Sequence, residues 1–126
     1  MILDTDVLIW YLRGNEKARE FVEKNIPFSV SVVTYMELVQ GMKDKNELRV
    51  FQKTFQRWGV NIIQTDKETS SRAMFYVQEY ALSHSMTLSD GLIAATAVQN
   101  SEVLVTANDK HYKFIPIIDC KKFDPE

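Results

Sequence analysis

Four acids in this chain sit where an apolar segment ends or begins. Asp4 closes the opening run Met1-Ile2-Leu3, and Glu37 lies within Ser31-Val32-Val33-Thr34-Tyr35-Met36-Glu37-Leu38. Asp90 opens the small-residue stretch Asp90-Gly91-Leu92-Ile93-Ala94-Ala95, and Asp109 follows Val103-Leu104-Val105-Thr106. In an open α/β sheet such positions converge on one crevice beyond the carboxyl ends of the strands. Carboxylates gathered there repel one another unless a cation sits between them, and a donor set made only of oxygen suits Mg²⁺ or Mn²⁺.

The pattern between these acids predicts alternating strands and helices. Met1–Leu3, Phe28–Ser31, Val60–Ile63 and Val103–Val105 read as buried strands, with Ile115–Ile118 as a fifth. Asp6 is the expected N-cap of a helix that stops at Gly14. Ala18, Phe21 and Val22 recur at helical spacing between Glu16 and Asn25, before Pro27. Another helix ends near Gly41. Leu48, Phe51, Phe55 and Trp58 share one helical face, terminated by Gly59, and longer helices are expected over 66–83 and 88–99. This order predicts a three-layer α/β/α sandwich around a mostly parallel central sheet. No linker or repeat divides the chain, so residues 1–126 are expected to form a single domain.

Composition narrows the chemistry further. A formal net charge of −2 rules out nucleic-acid binding by bulk positive charge alone, although an ion in the acid cluster offsets the local negative field. No apolar run approaches the roughly 20 residues needed to span a bilayer, and no leader segment is expected ahead of the first strand. The single cysteine, Cys120, has no partner within the chain, and no Cys/His cluster has the spacing of a zinc site. These features predict a cytoplasmic protein. No phosphate-binding glycine loop is present, and Ser31, Ser89 and Cys120 lack the surroundings of an activated nucleophile.

Each acid also has a purely structural reading. Thr34-x-x-Glu37 has the form of a capping box and Thr87-x-x-Asp90 a looser version of it, while Asp109 would close an Asx turn with Asn108. Asp4 resists such a reading, because a charge directly behind three apolar residues sits at the core edge and needs a compensating donor, base or metal. His84 and His111 have no partner at ligand spacing and read as surface or core-edge residues. Lys110, His111 and Lys113 read as a solvated face, and Trp10, Tyr11 and Tyr35 as core or dimer-contact residues.

Leu3-Asp4-Thr5-Asp6-Val7-Leu8-Ile9 resembles the start of a PIN domain, and Val33-Thr34-Tyr35-Met36-Glu37-Leu38-Val39-Gln40-Gly41 resembles the second motif of that family. Ser89-Asp90-Gly91-Leu92-Ile93-Ala94-Ala95-Thr96-Ala97 resembles the third, and Leu104-Val105-Thr106-Ala107-Asn108-Asp109-Lys110-His111-Tyr112 the fourth. All appear in order across nearly the whole chain, in a form similar to VapC-type toxins of toxin–antitoxin pairs. Asp6 stands where the family usually has Ser or Asn, and Asn108 occupies the position, counted from Thr106, at which relatives carry Asn or Asp.

The resemblance implies an endoribonuclease dependent on Mg²⁺ or Mn²⁺. In that reading Asp4 and Asp90 are the principal metal ligands, and Glu37 holds a second ion or orients the attacking water. Asp109 or Asn108 completes the shell, with Thr106 and Asp6 in support. It also implies an RNA substrate, a cognate antitoxin and a homodimer, with no membrane association. Two alternatives remain at this point. Asp4-Thr5-Asp6 looks like the beginning of a haloacid-dehalogenase-like phosphatase, with Asp4 as nucleophile and Asp6 as acid/base. A receiver-like domain would bind Mg²⁺ without catalysis.

Overall fold

A computed structural model describes residues 1–126. The chain runs β1 (Ile2–Leu3), α1 (Thr5–Leu12), α2 (Glu16–Lys24), β2 (Ser29–Ser31), α3 (Val32–Gln40), α4 (Lys45–Trp58), β3 (Asn61–Ile63), α5 (Lys67–His84), α6 (Leu88–Gln99), β4 (Leu104–Thr106) and β5 (Cys120–Lys122). A single 3-10 turn, Asp109–His111, follows β4. The strands form one sheet in the order β3-β2-β1-β4-β5, and every pairing is parallel.

Short polar side chains start most of the helices. Asp44, Asp66 and Thr87 each accept a hydrogen bond from the backbone N–H three residues on, which satisfies a donor that the helix itself leaves free. Gly59 ends α4 at φ +67°, a conformation that disfavours side chains with a Cβ.

Alternation along each strand divides the core between the two faces of the sheet. Ile2 and Leu104 point into one cluster with Ala73, Tyr76, Ile93 and Ala94 from α5 and α6. Leu3 and Val105 point into the other, with Val7, Val22, Phe51 and Phe55 from α1, α2 and α4. The α/β/α layering expected from the sequence is therefore present. Gly91 allows α6 to lie close to α5, since a Cβ there would fall 2.8 Å from Val77 Cγ2.

The fifth strand differs from expectation. Residues 115–118 turn instead of pairing: Pro116 has no N–H to give a ladder, Ile117 sits at φ +61°, and Ile118 N–H donates back to the Ile115 carbonyl. Ile115 is buried as a core side chain, and the edge strand forms later, where Cys120–Lys122 pairs with Leu104–Thr106. No helix is long and apolar enough to cross a membrane.

Candidate active site

Strand order 3-2-1-4-5 places the reversal of winding between β1 and β4, and the crevice above that point is where open α/β sheets bind ligands. Asp4 leaves β1 at that point and is 6% exposed. One of its carboxylate oxygens caps α1 by accepting from Thr5 N–H at 2.8 Å, and the other accepts from the Thr106 hydroxyl at 2.8 Å. Asp4 thus takes the capping role expected of Asp6. Asp6 stands in the first turn of α1, where both its oxygens are 3.1 Å from Ala107 N–H and one is 3.1 Å from the Thr106 hydroxyl. Thr106 has one proton for two carboxylates. Burial first, and then the Asp6 charge, push the Asp4 carboxyl up to about 7, against the opposing hydrogen bonds. Burial raises Asp6 as well, while Ala107 N–H and Thr106 oppose it.

Glu37 and Asp90 approach from the helices. Ser31, not Thr34, caps α3 through Val33 N–H, so the expected capping box does not form and Glu37 is released from the backbone. Its carboxylate accepts instead from the Thr5 hydroxyl at 2.7 Å, and Thr5 is fixed in turn by the fully buried Thr34 hydroxyl at 2.9 Å. In α6 the Thr87 hydroxyl accepts from Asp90 N–H, as expected, which leaves the Asp90 carboxylate free. Asp90 Oδ1 accepts from the Tyr112 hydroxyl at 3.2 Å, and Oδ2 lies 3.4 Å from His111 Nδ1.

His111 and Tyr112 were not expected here. Their only sequence signal is their place at the end of the fourth motif, on the turn above β4. His111 is therefore a neighbour of the site rather than a surface residue without a partner, and its other ring nitrogen lies 3.1 Å from the Asn108 amide. His84 is exposed at the surface, stacked on the partly buried Phe114 with ring centroids 3.9 Å apart. Asp109 is less closely engaged than expected. Its side chain makes no hydrogen bond within the chain; burial first, and then the Asp109 charge, push up the Cys120 thiol on β5. Asn108 offers no side-chain cap to the 3-10 turn, so the Asx turn expected around Asp109 does not form.

No lysine or arginine pairs with any of these acids; the basic side chain beside them is His111, at Asp90. No three acidic, histidine or cysteine side chains stand close enough together to form a complete metal cage. The donors nevertheless fit a small hard cation that keeps most of its own water and takes one or two carboxylates. The buried Asp4 beside the partly buried Asp6, with Asp90 and Glu37 on the crevice walls, has that character, and the set offers nothing to a soft metal.

Fold and site together define an open parallel α/β domain with carboxylates at its switch point. Residues 1–115 match the family described as PIN domain, and the chain belongs to that family. It is 32% identical over 116 residues to Ribonuclease VapC10 of Mycobacterium tuberculosis, covering 89% of this chain and 85% of that protein. Among solved structures it is similar to a toxin–antitoxin complex from Klebsiella pneumoniae, with a TM-score of 0.79 and 25% identity over 99% of this chain and 97% of that one. It is also similar to DNA-bound VapBC from Salmonella typhimurium, with a TM-score of 0.80 and 25% identity over 96% of each chain. The family match sets aside the phosphatase and receiver alternatives.

Proposed function

We propose that residues 1–126 act as one PIN domain, a cytoplasmic endoribonuclease dependent on Mg²⁺, with Mn²⁺ as a substitute, and the toxin of a VapBC-type pair. One observation carries this reading: the buried Asp4 and Thr106 with the partly buried Asp6 at the switch point, without a lysine or arginine partner, flanked by Asp90 and Glu37. Similarity to a ribonuclease and to toxin–antitoxin complexes supports the choice of substrate and partner.

Asp4 and Asp90 would hold the ion from opposite walls. Thr106 and Thr5 N–H fix the Asp4 carboxylate, so little rotamer freedom remains to be lost when a ligand arrives. Glu37, oriented through Thr5 and Thr34, would hold a second ion or align the attacking water. Asp109 or Asn108 would complete the shell from the turn after β4. When bound, the divalent ion supplies a water of lowered pKa and neutralises a phosphoryl oxygen. Water is then the nucleophile, and cleaved RNA carries linear phosphate and hydroxyl ends. End-group analysis of the products checks this; a 2′,3′-cyclic phosphate would mean that the RNA's own 2′-hydroxyl attacks, and would refute the mechanism.

Two apolar surfaces fit the proposed partners. A groove of about 670 Å³ between α1 and α4, lined by Tyr11, Leu12, Met42, Val50, Phe51 and Trp58, would receive part of the antitoxin. Tyr11 and Tyr35 pack inward, Tyr11 edge-on against Trp58 and Tyr35 against Phe51. Met36 and Leu88, by contrast, are 52% and 70% exposed beside Glu37 and Asp90. Exposed apolar groups grouped in this way mark contact surfaces, and this surface would join two copies of the chain. Sedimentation at micromolar concentration should give twice the 14.6 kDa protomer mass, and Met36→Glu should give the protomer. A wild-type protein that sediments as a protomer would exclude the homodimer.

A further inference from the structure

Tyr112 reaches the crevice from inside the core. It is 1% exposed, and its ring packs in the cluster that contains Ile93, Ala94 and Ile115. A phenylalanine would fill that volume equally well, so the hydroxyl answers to the polar end of the pocket. There it donates to Asp90 Oδ1 at 3.2 Å, and it also faces Asp4. The phenol therefore stands between the two carboxylates proposed as principal ligands.

The two acids are fixed unequally. Asp4 is held by Thr5 N–H and by Thr106 as well as by the strand it terminates. The Asp90 carboxylate has only Tyr112 and the half-exposed His111 imidazole, at the longer distance of 3.4 Å. A ligand carboxylate must present one oxygen in a set direction while its other lone pairs are satisfied from outside the shell. Tyr112 can do this from a ring that packing prevents from moving.

We propose that the Tyr112 hydroxyl is a positioning group that fixes Asp90 relative to Asp4 and thereby sets the affinity of the crevice for a divalent cation. The proposal rests on the reading of Asp4 and Asp90 as metal ligands. Its effect is on binding: the hydroxyl acts through the Asp90 carboxylate it is bonded to and takes no part in the chemical step.

The test is calorimetric titration of the EDTA-stripped, dialysed protein with Mn²⁺, for wild type, Tyr112→Phe and His111→Ala. Each is held at a temperature where circular dichroism shows it fully folded. Loss of an outer partner of a metal ligand typically weakens affinity about 10- to 100-fold, and Tyr112→Phe should fall in that range with His111→Ala affected less. RNA cleavage by Tyr112→Phe should return to near the wild-type rate at saturating Mn²⁺, with the half-maximal metal concentration raised by the same factor as the Kd. An unchanged Kd in Tyr112→Phe overturns the proposal. So does a cleavage defect that no Mn²⁺ concentration restores, which would mark a merely structural role. A wild-type protein that binds no Mn²⁺ overturns the metal reading itself, a result distinct from either.

Discussion

Asp4→Asn should cut RNA cleavage by roughly two orders of magnitude or more while leaving the protein folded, because it removes the carboxylate proposed as a direct ligand, where even an outer partner is worth about 10- to 100-fold. The substitution is nearly isosteric, and the structure can accommodate it. The asparagine Oδ1 can still accept from Thr5 N–H as an N-cap, a role in which Asn and Asp are equivalent. Its amide N–H can donate to Thr106 Oγ1, whose own proton then turns wholly to Asp6. What is lost is the buried negative charge. Without metal at pH 8, Asp4→Asn should melt at or above the wild-type temperature. A variant that is unfolded or clearly less stable would make Asp4 a structural acceptor rather than a ligand. Asp4→Ala provides the contrast: it removes the N-cap and leaves Thr5 N–H without its acceptor, while Thr106 keeps Asp6, and it should be less stable than Asp4→Asn.

The second large effect is on the pH dependence of the metal-free protein. The Asp4 carboxyl is raised from 3.8 to about 7 in the fold, so between those values the native state holds a proton that the unfolded chain has released. The associated stability is fully present below about 3.8 and is lost as pH rises through about 7. From pH 5 to pH 8 the metal-free protein should lose about 2–3 kcal/mol, taking about 1.4 kcal/mol for each pH unit between 5 and the folded value. Asp6, raised in the same direction by burial, adds to the trend. Saturating Mg²⁺, which favours the ionised pair, should restore stability at pH 8, and Asp4→Asn should show a flatter profile with little response to Mg²⁺. Urea unfolding at the two pH values, with and without Mg²⁺, measures all three. Metal-free stability that increases from pH 5 to pH 8 would contradict the raised Asp4.

Much of this fold was legible because the local signals agree with the tertiary structure. Asp44, Asp66 and Thr87 cap the helices they precede, Gly59 stops α4, and the run Ile2–Leu3 becomes the central strand. The misreadings share a cause: each was a local pattern displaced by a partner distant in sequence. Thr34-x-x-Glu37 reads as a capping box until Ser31, at the end of β2, takes the cap and Thr5 arrives from β1–α1 to occupy Glu37. Asp6 reads as a cap until Thr106 and Ala107, a hundred residues on, claim its carboxylate. Ile115–Ile118 has the apolar character of a strand, yet Pro116 and the turn at Ile117 deny it a ladder. His111 and Tyr112 lacked partners at any recognisable spacing because Asp90 meets them only when the start of α6 packs beside the turn after β4, and Asp4 comes near only through the pairing of β1 with β4. The acids that end strands or open helices were visible in the sequence. The hydroxyls that hold them were not, since threonine and tyrosine carry no pattern of their own.

The most direct test of the central claim is cleavage of a single-stranded RNA by the purified protein, first stripped with EDTA and then supplied with Mg²⁺, beside Asp90→Asn treated in the same way. Cleavage should be absent in EDTA and return fully with Mg²⁺, in the wild type only. Cleavage by the wild-type protein that persists in EDTA, or that Asp90→Asn matches once Mg²⁺ is returned, would contradict the claim.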